Sequence, residues 1–285
     1  MSVSDMTFSH REGVLKMELF TNVRITSHLT RIDTPFGVSM YFLEGENKAV
    51  LLDTGMGIGD LRRHVESMTS KPYTVILSHG HCDHAGGASQ FDEVYLNPTD
   101  WPLEKTHATL AHRISDVFHG PFPVPKEISE KDFVPQRTRS YLPVREGDVF
   151  DLGGIHLSFI AVPGHTGGCL VPLIEEERIA VIGDALGENT LLHFPESTGV
   201  ETYLESLKHL QKEQSRFDTV LRFHGTCASE KKIIDDSVQL CEEILNHQDA
   251  RIPVTIHDYK GMMARKKDHP GKEGNIIYNP ERIYE

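Results

Sequence analysis

Between residues 78 and 87 the chain reads SHGHCDHAGG, directly after the apolar run 75–77. His79 and His81 are two positions apart, so on extended backbone their imidazoles project to one side and can hold a single metal ion. Asp83 and His84 follow in a glycine-flanked turn and can face a second ion. Helical geometry would separate positions 79 and 81, so the cluster suits a loop at a strand end. The chain has 17 histidines, but four ligand-type residues in six positions after a strand is a poor fit to a chance surface cluster.

Three more points share that placement. His165 stands in PGHTGG, Asp184 in IGDA and His224 in FHGT, each after a β-rich run and beside glycine. Singly, each reads as a turn-capping residue. Together they put metal-ligand chemistry repeatedly at the carboxyl ends of strands, where open α/β sheets hold their ligands. Cys82, between ligand-type neighbours, reads as a buried structural thiol pointing away from the metals. Thr166 and His193 are weaker pocket candidates, and the LLHF run at 191–194 is a candidate cleft wall.

The elements that must position these residues are short strands alternating with helices, the pattern of the α/β class. Strands are expected at 38–43, 49–52, 73–77, 93–96, 156–162, 178–182 and 219–223, with a hairpin turn at 44–48. One helix is expected from the capping-box spacing of Thr198 and Glu201 and the stripe Val200, Leu204, Leu207, Leu210. Another is expected after Ser229 as cap, with Ile234, Val238, Cys241 and Leu245 on its core face. Residues 97–148 form a long insertion, helical around 102–117 and not at PFPVP (121–125). It concentrates Trp101, His107, His112, His119, Phe122 and Tyr141, and is expected to overhang the metal cleft and set substrate choice. The extension at 251–285, with Pro270, Gly271, Gly274 and Pro280, reads as irregular.

The 285 residues suit one large domain with these appendages. A composition 38% hydrophobic and 25% charged supports a core rather than disorder. The 29 basic and 42 acidic residues give a net charge of −13. That balance disfavours nucleic acid and anionic membranes as partners and points to a small-molecule substrate, with a homodimer left open. Cys82, Cys169, Cys227 and Cys241 form no close pairs and read as reduced thiols. Residues 1–14 lack the apolar core of a secretory signal. No apolar run approaches the roughly 20 residues of a membrane span. A cytoplasmic protein is the expectation.

The ordered set His-x-His-x-Asp-His, then His, Asp and His, resembles the metallo-β-lactamase superfamily over about 53–224. The resemblance implies an αββα sandwich: two mixed sheets face to face, helices outside, metals at one edge. It implies that His79, His81 and His165 hold one metal and Asp83, His84 and His224 a second, with Asp184 bridging them. Asp53 of LLDTG matches the family's first motif and is implied to orient the histidine loop. The cofactors implied are two divalent transition metals, zinc first, with iron or manganese also suited to these donors. Such a pair lowers the pKa of a shared water and creates a hydroxide nucleophile. Asp83 is then the carboxylate that orients the hydroxide or moves a proton to the leaving group, so Asp83 and Asp53 are the candidate catalytic carboxylates.

Departures narrow the branch. True β-lactamases of this fold generally lack the bridging aspartate. Flavin-linked diiron reductases carry Glu where this chain has His81, and tRNA-processing nucleases carry a basic arm absent here. Acyl-homoserine lactonases place tyrosine where this chain has Gly187. Glyoxalase II-like thioesterases share all seven ligands but have a helical glutathione-binding domain. The expectation is a dinuclear hydrolase of a small ester, thioester, lactone or phosphoester. A mononuclear iron persulfide dioxygenase is the alternative reaction class, and a non-catalytic metal-binding protein the third reading.

Overall fold

A computed structural model describes residues 18–266 and 271–285. The reading of residues 1–14 and the mention of Pro270 lie outside the described residues. The first sheet is β1 (Thr21–Arg24), β2 (Leu29–Asp33), β3 (Ser39–Glu44), β4 (Ala49–Leu52), β5 (Tyr73–Ile76), β6 (Val94–Leu96) and β7 (Leu142–Pro143), in that spatial order. It is antiparallel from β1 to β4 and parallel from β4 to β7.

The second sheet contains β8 (Val149–Asp151), β9 (His156–Ala161), β10 (Leu170–Ile174), β11 (Ile179–Val181), β13 (Thr219–Leu221) and β14 (Ala228–Ser229). Their spatial order is β14-β13-β11-β10-β9-β8. A third, smaller sheet joins β12 (Thr190–Leu192) to the chain's end as β12-β17-β16-β15, with β15 Ile252–Ile256, β16 Tyr259–Met263 and β17 Ile276–Tyr278. The two mixed sheets expected are therefore present, with a third beside them.

Side-chain alternation decides the layers. On β3 and β4, Tyr41, Leu43, Val50 and Leu52 point between the two large sheets, where they meet Leu157, Phe159, Ile174 and Val181. Their neighbours Met40, Phe42, Ala49 and Leu51 point outward, onto Leu61 and Val65 of α1 (Leu61–Met68). A strand covered on both faces must be apolar throughout, which is why β3 and β4 read as continuous apolar runs rather than alternating ones.

The outer face of the second sheet is covered by α5 (Val200–Lys212) and α6 (Ile233–Leu245). Both helices present the expected apolar stripes, including Val200, Leu204, Leu207 and Leu210, and Ile234, Val238 and Cys241. Their starts differ from expectation. Gly199, not Thr198, is the N-cap of α5, and the Thr198–Glu201 capping box does not form. The tail occupies that helix end: a Cβ on Gly199 would lie 2.3 Å from the Arg282 carbonyl oxygen. Ser229 is paired within β14 opposite Val220, so α6 starts from Lys232 instead.

Two further expectations change. The 251–285 extension is not irregular, since it supplies β15, β16 and β17, and β17 pairs with β12. The 97–148 insertion folds as α3 (Trp101–His107) and α4 (Leu110–His119), followed by an irregular run over PFPVP. Thr109 caps α4 by accepting from the His112 N–H. Arg113 is fully buried and donates to the carbonyls of Ala108, Met56 and Val134. That guanidinium fastens α4 to the body of the protein.

Candidate metal centre

Five turns build the site, each leaving a strand's carboxyl end: Asp53 after β4, 78–84 after β5, His165 after β9, Asp184 after β11 and His224 after β13. β4 runs parallel to β5, and β11 to β13. β9 shares the direction of β11 because both lie antiparallel to β10. The ligand-type residues thus collect at one edge of the sandwich. There the sheets are laced together by Ser39 N–H to Phe223 O (2.8 Å) and Leu170 N–H to Ser78 O (3.0 Å). The four-residue helix α2 (Cys82–Ala85) carries Asp83 and His84.

The side chains converge in two groups. His79 Nε2 lies 3.2 Å from His81 Nδ1, which lies 2.8 Å from His165 Nε2. His84 Nε2 and His224 Nε2 are 3.3 Å apart, and each is 3.3 Å from Asp83 Oδ2. Asp184 Oδ2 is 3.4 Å from both of those nitrogens and 3.7 Å from His165 Nε2, so it faces both groups.

Every imidazole has its other nitrogen committed. His165 Nδ1 donates to Leu191 O (2.9 Å) and His224 Nδ1 to Gly37 O (2.8 Å). His81 Nε2 donates to Glu196 Oε1 (2.9 Å) and His84 Nδ1 to Asp53 Oδ2 (2.7 Å). Ser78 Oγ gives its proton to Asp53 Oδ2 and accepts from His79 Nδ1 at 3.0 Å. These partners leave one nitrogen of each of the five rings facing one space together with two carboxylates. Nitrogen and carboxylate donors gathered at such separations suit a shared cation, so the donor set fits two metal ions. The donor atoms of His79, His81 and His165 lie within 4.8 Å of one another, as do those of Asp83, His84, Asp184 and His224.

Three carboxyl groups, Asp53 and Asp100 buried and Glu196 half-buried, hold this arrangement. Asp53 is fully buried with a left-handed φ of 65°, a conformation aspartate tolerates better than most residues. Besides His84 and the Ser78 hydroxyl it accepts the Ser78 N–H (2.7 Å). It is absent from the cavity lining, and its oxygens are spent on the histidine loop. Asp100 accepts from Gly80 N–H (2.9 Å), Gly168 N–H (2.8 Å) and Thr166 Oγ (2.7 Å), tying the His79–His81 turn to the His165 turn. Gly168 is needed for that approach, since a Cβ there would lie 2.6 Å from the Asp100 carboxyl carbon. Glu196 holds His81.

The electrostatics follow the packing. Burial, then the neighbouring imidazoles, keeps His79 well below the ordinary histidine range and takes His165 down to about 4. Burial acts the same way on His84 and His224, but Asp83 and Asp184 outweigh it and hold both above that range. In return the two carboxyl groups are held well below theirs against the cost of burial. Burial raises Asp100. It also opposes ionisation of Glu196, yet the His81 contact brings that group down to about 2.

A cavity of about 720 Å³ opens onto the site. Phe36, Met56, Val117, Phe122, Phe194 and Tyr259 give it apolar walls, and Asp83, Asp184, His81, His165 and His224 reach it. Part of the 97–148 insertion does overhang the centre: His107, His112 and Phe122 line the cavity. Trp101 and Tyr141 pack instead on the outer core, and His119 is exposed, bonded to Ser115 O. The turn of the β15–β16 hairpin forms the facing wall, and His257 Nδ1 lies 3.4 Å from Asp116 Oδ1 of α4. Thr166 and His193 are buried outside the cavity lining: Thr166 on Asp100, His193 stacked 4.3 Å from Phe194. Leu191 and Phe194 of the LLHF run do line the cavity. Asp100 and Glu196 escaped the sequence reading, as did the hairpin. All four cysteines are free and buried. Among the described residues, no helix is long and apolar enough to cross a membrane.

Comparison with known proteins bears on this geometry. The family model described as metallo-beta-lactamase superfamily matches residues 33–215. An uncharacterized protein of Mycobacterium tuberculosis is 32% identical over 156 residues, 50% of this chain and 64% of the relative. The human acyl-coenzyme A thioesterase MBLAC2 is 22% identical over 188 residues, 60% of this chain and 66% of its own length. The chain thus spans just under two thirds of these curated relatives. Among solved structures, the metallo-beta-lactamase IND-7 superposes with a TM-score of 0.58 at 16% identity, covering 80% of this chain and all 100% of that one. The sec-alkylsulfatase Pisa1 of Pseudomonas sp. gives 0.61 at 14% identity, covering 80% and 42%. At those identities the likeness is one of fold.

Proposed function

Since the chain belongs to the metallo-beta-lactamase superfamily, we propose that it is a dinuclear metal-dependent hydrolase acting on a small ester or thioester with an apolar acyl group. The observation that carries this reading is the convergence of five imidazole nitrogens and two carboxylates on one space beside the cavity, which His81, His165, His224, Asp83 and Asp184 line. His79, His81 and His165 would hold one ion, Asp83, His84 and His224 the other, with Asp184 shared. When bound, the ions lower the pKa of a water and polarise the bond to be cleaved. Zinc suits the nitrogen and oxygen donors, as do iron and manganese.

The chain's own groups do the rest. Asp83 and Asp184 reach the cavity and can accept a proton from a water held beside them. Asp83, on the short α2 turn, is placed to pass that proton to the leaving group. Asp53, Asp100 and Glu196 keep the imidazoles aimed, so the attacking geometry is set before substrate arrives. The apolar walls Phe36, Met56, Val117, Phe122, Phe194 and Tyr259 favour a hydrocarbon acyl group over a phosphate. The relative named an acyl-coenzyme A thioesterase adds weight to a thioester. The net charge of −13 favours a small substrate over nucleic acid.

The test is a panel on protein loaded with zinc, iron or manganese: acyl thioesters and aryl esters of graded chain length, lactones, phosphodiesters and penicillins, with oxygen uptake followed on a persulfide. Chelator-sensitive cleavage that improves with acyl length is expected. Oxygen consumption without hydrolysis, or preference for phosphodiesters or penicillins, contradicts the proposal.

A further inference from the structure

We propose that Cys82, His107, His112 and Asp116 form an accessory site for a thiophilic divalent ion of the zinc type, on the cavity wall beside the main centre. His112 and Asp116 are four residues apart on α4 and therefore share a helix face. His107 ends α3, and Cys82 opens α2 between His81 and Asp83, which face the main centre. The thiol faces away from that centre, towards the insertion.

Three of the donor atoms meet there, and the Asp116 carboxylate lies beside the thiol. One donor each from Cys82, His107 and His112 lies within 4.8 Å of the others. The rings of His107 and His112 have centroids 4.1 Å apart. Cys82 Sγ donates to Asp116 Oδ2 at 3.7 Å, close to the ligand–ligand separation expected around a tetrahedral ion with bonds of roughly 2.0–2.3 Å. The set is one sulfur, two nitrogens and one oxygen, a zinc-type combination that the hard cations calcium and magnesium do not favour. On binding, Cys82 releases its thiol proton to solvent and the sulfur lone pair forms the bond to the ion, with no change of oxidation state. The thiolate and the Asp116 carboxylate then balance the charge of a divalent ion.

Cys82 also belongs to an apolar cluster with Phe36, Met56 and Val117, and a buried thiol alone has that ordinary explanation. Two imidazoles and a carboxylate gathered around it do not. All four side chains line the cavity and His112 is exposed, so an ion has a route in from solvent. His107 Nδ1 accepts the Cys82 N–H at 3.3 Å, a long bond that ligation replaces.

Cobalt(II) distinguishes this site from the main centre, whose donors are all nitrogen and oxygen. Cobalt added stepwise to the full chain first loads the main centre, giving visible ligand-field bands only. Further cobalt is expected to raise a sulfur-to-cobalt charge-transfer band in the near ultraviolet. Cys82→Ser should abolish that band, and His112→Ala, an exposed change that leaves the thiol in place, should weaken binding in that step at least 10-fold. The band reports on sulfur alone, whether the main centre takes one ion or two, so its outcome is separable from that of the hydrolase proposal. Absence of the band with excess cobalt, or its survival unchanged in either variant, overturns the inference.

Discussion

Asp184 Oδ2 sits within 3.4 Å of His84 and His224 and 3.7 Å of His165, and no other carboxylate is so placed among the described contacts. Asp184→Ala is expected to lose the second ion and to cut turnover by more than the roughly 10–100-fold typical of outer-shell changes, while far-ultraviolet circular dichroism stays native. Near-native turnover would remove the shared role. Glu196→Gln keeps an acceptor near His81 Nε2 but removes its charge. Metal affinity should then fall by roughly 10-fold, read by competition with a chromophoric chelator; unchanged affinity would make Glu196 a bystander. Asp100→Ala strands three donors in a buried place, so a loss on the order of 2–4 kcal/mol is expected in denaturant unfolding. The difference in legibility among these residues is physical. The turn at 79–84 packs four donors into six positions, a local pattern that needs no knowledge of the fold. Asp100 and Glu196 are single carboxylates in NPTDW and FPES, and their partners stand as many as 68 and 115 residues away. Nothing local distinguishes them from turn residues.

At the scale of elements, α4 and the β15–β16 hairpin face each other across the cavity, so each should affect substrate binding more than chemistry. Phe122→Ala is expected to raise KM for long acyl substrates roughly 10-fold, the effect of losing apolar contact worth about 1.4 kcal/mol, with little change for acetyl esters. An equal effect on short and long substrates would separate Phe122 from acyl recognition. Arg113→Met leaves three backbone carbonyls without their buried donor, and a stability loss of about 3 kcal/mol or more is expected. The interior strands and both amphipathic helices were readable because apolar runs and 3.6-residue stripes are dictated by what each element must bury. The tail was not. β15 alternates half-buried and exposed positions and contains Pro253, which a sheet tolerates at its edge, where β15 lies. Ile252, Val254 and Ile256 alternate as a strand requires, but Pro253 and the glycines and prolines elsewhere in the tail mask that signal. The capping signals of α5 and α6 failed for a related reason: the tail at Gly199 and the pairing of Ser229 with Val220 are long-range contacts that override a local preference.

The described residues form a sandwich with apolar cores between the two large sheets and under the helices on each outer face, and the candidate site lies at one edge. The sandwich's folding is therefore expected not to depend on metal as a small zinc domain's does. Dialysis against a strong chelator is expected to abolish turnover yet leave a single cooperative unfolding transition. Adding metal back should restore turnover and raise Tm, by about 2.7 kcal/mol of linkage when free metal is 100 times its Kd. A chain that unfolds on chelation would contradict this division between scaffold and site. The central claim, that the edge holds two ions shared by one carboxylate, is tested most directly by an anomalous-scattering map from crystals of protein purified without chelator. The expected result is two peaks roughly 3.5–4 Å apart, one among His79, His81 and His165, the other among Asp83, His84 and His224, with Asp184 in reach of both. A single peak at full loading, or two peaks that Asp184 does not join, would contradict it.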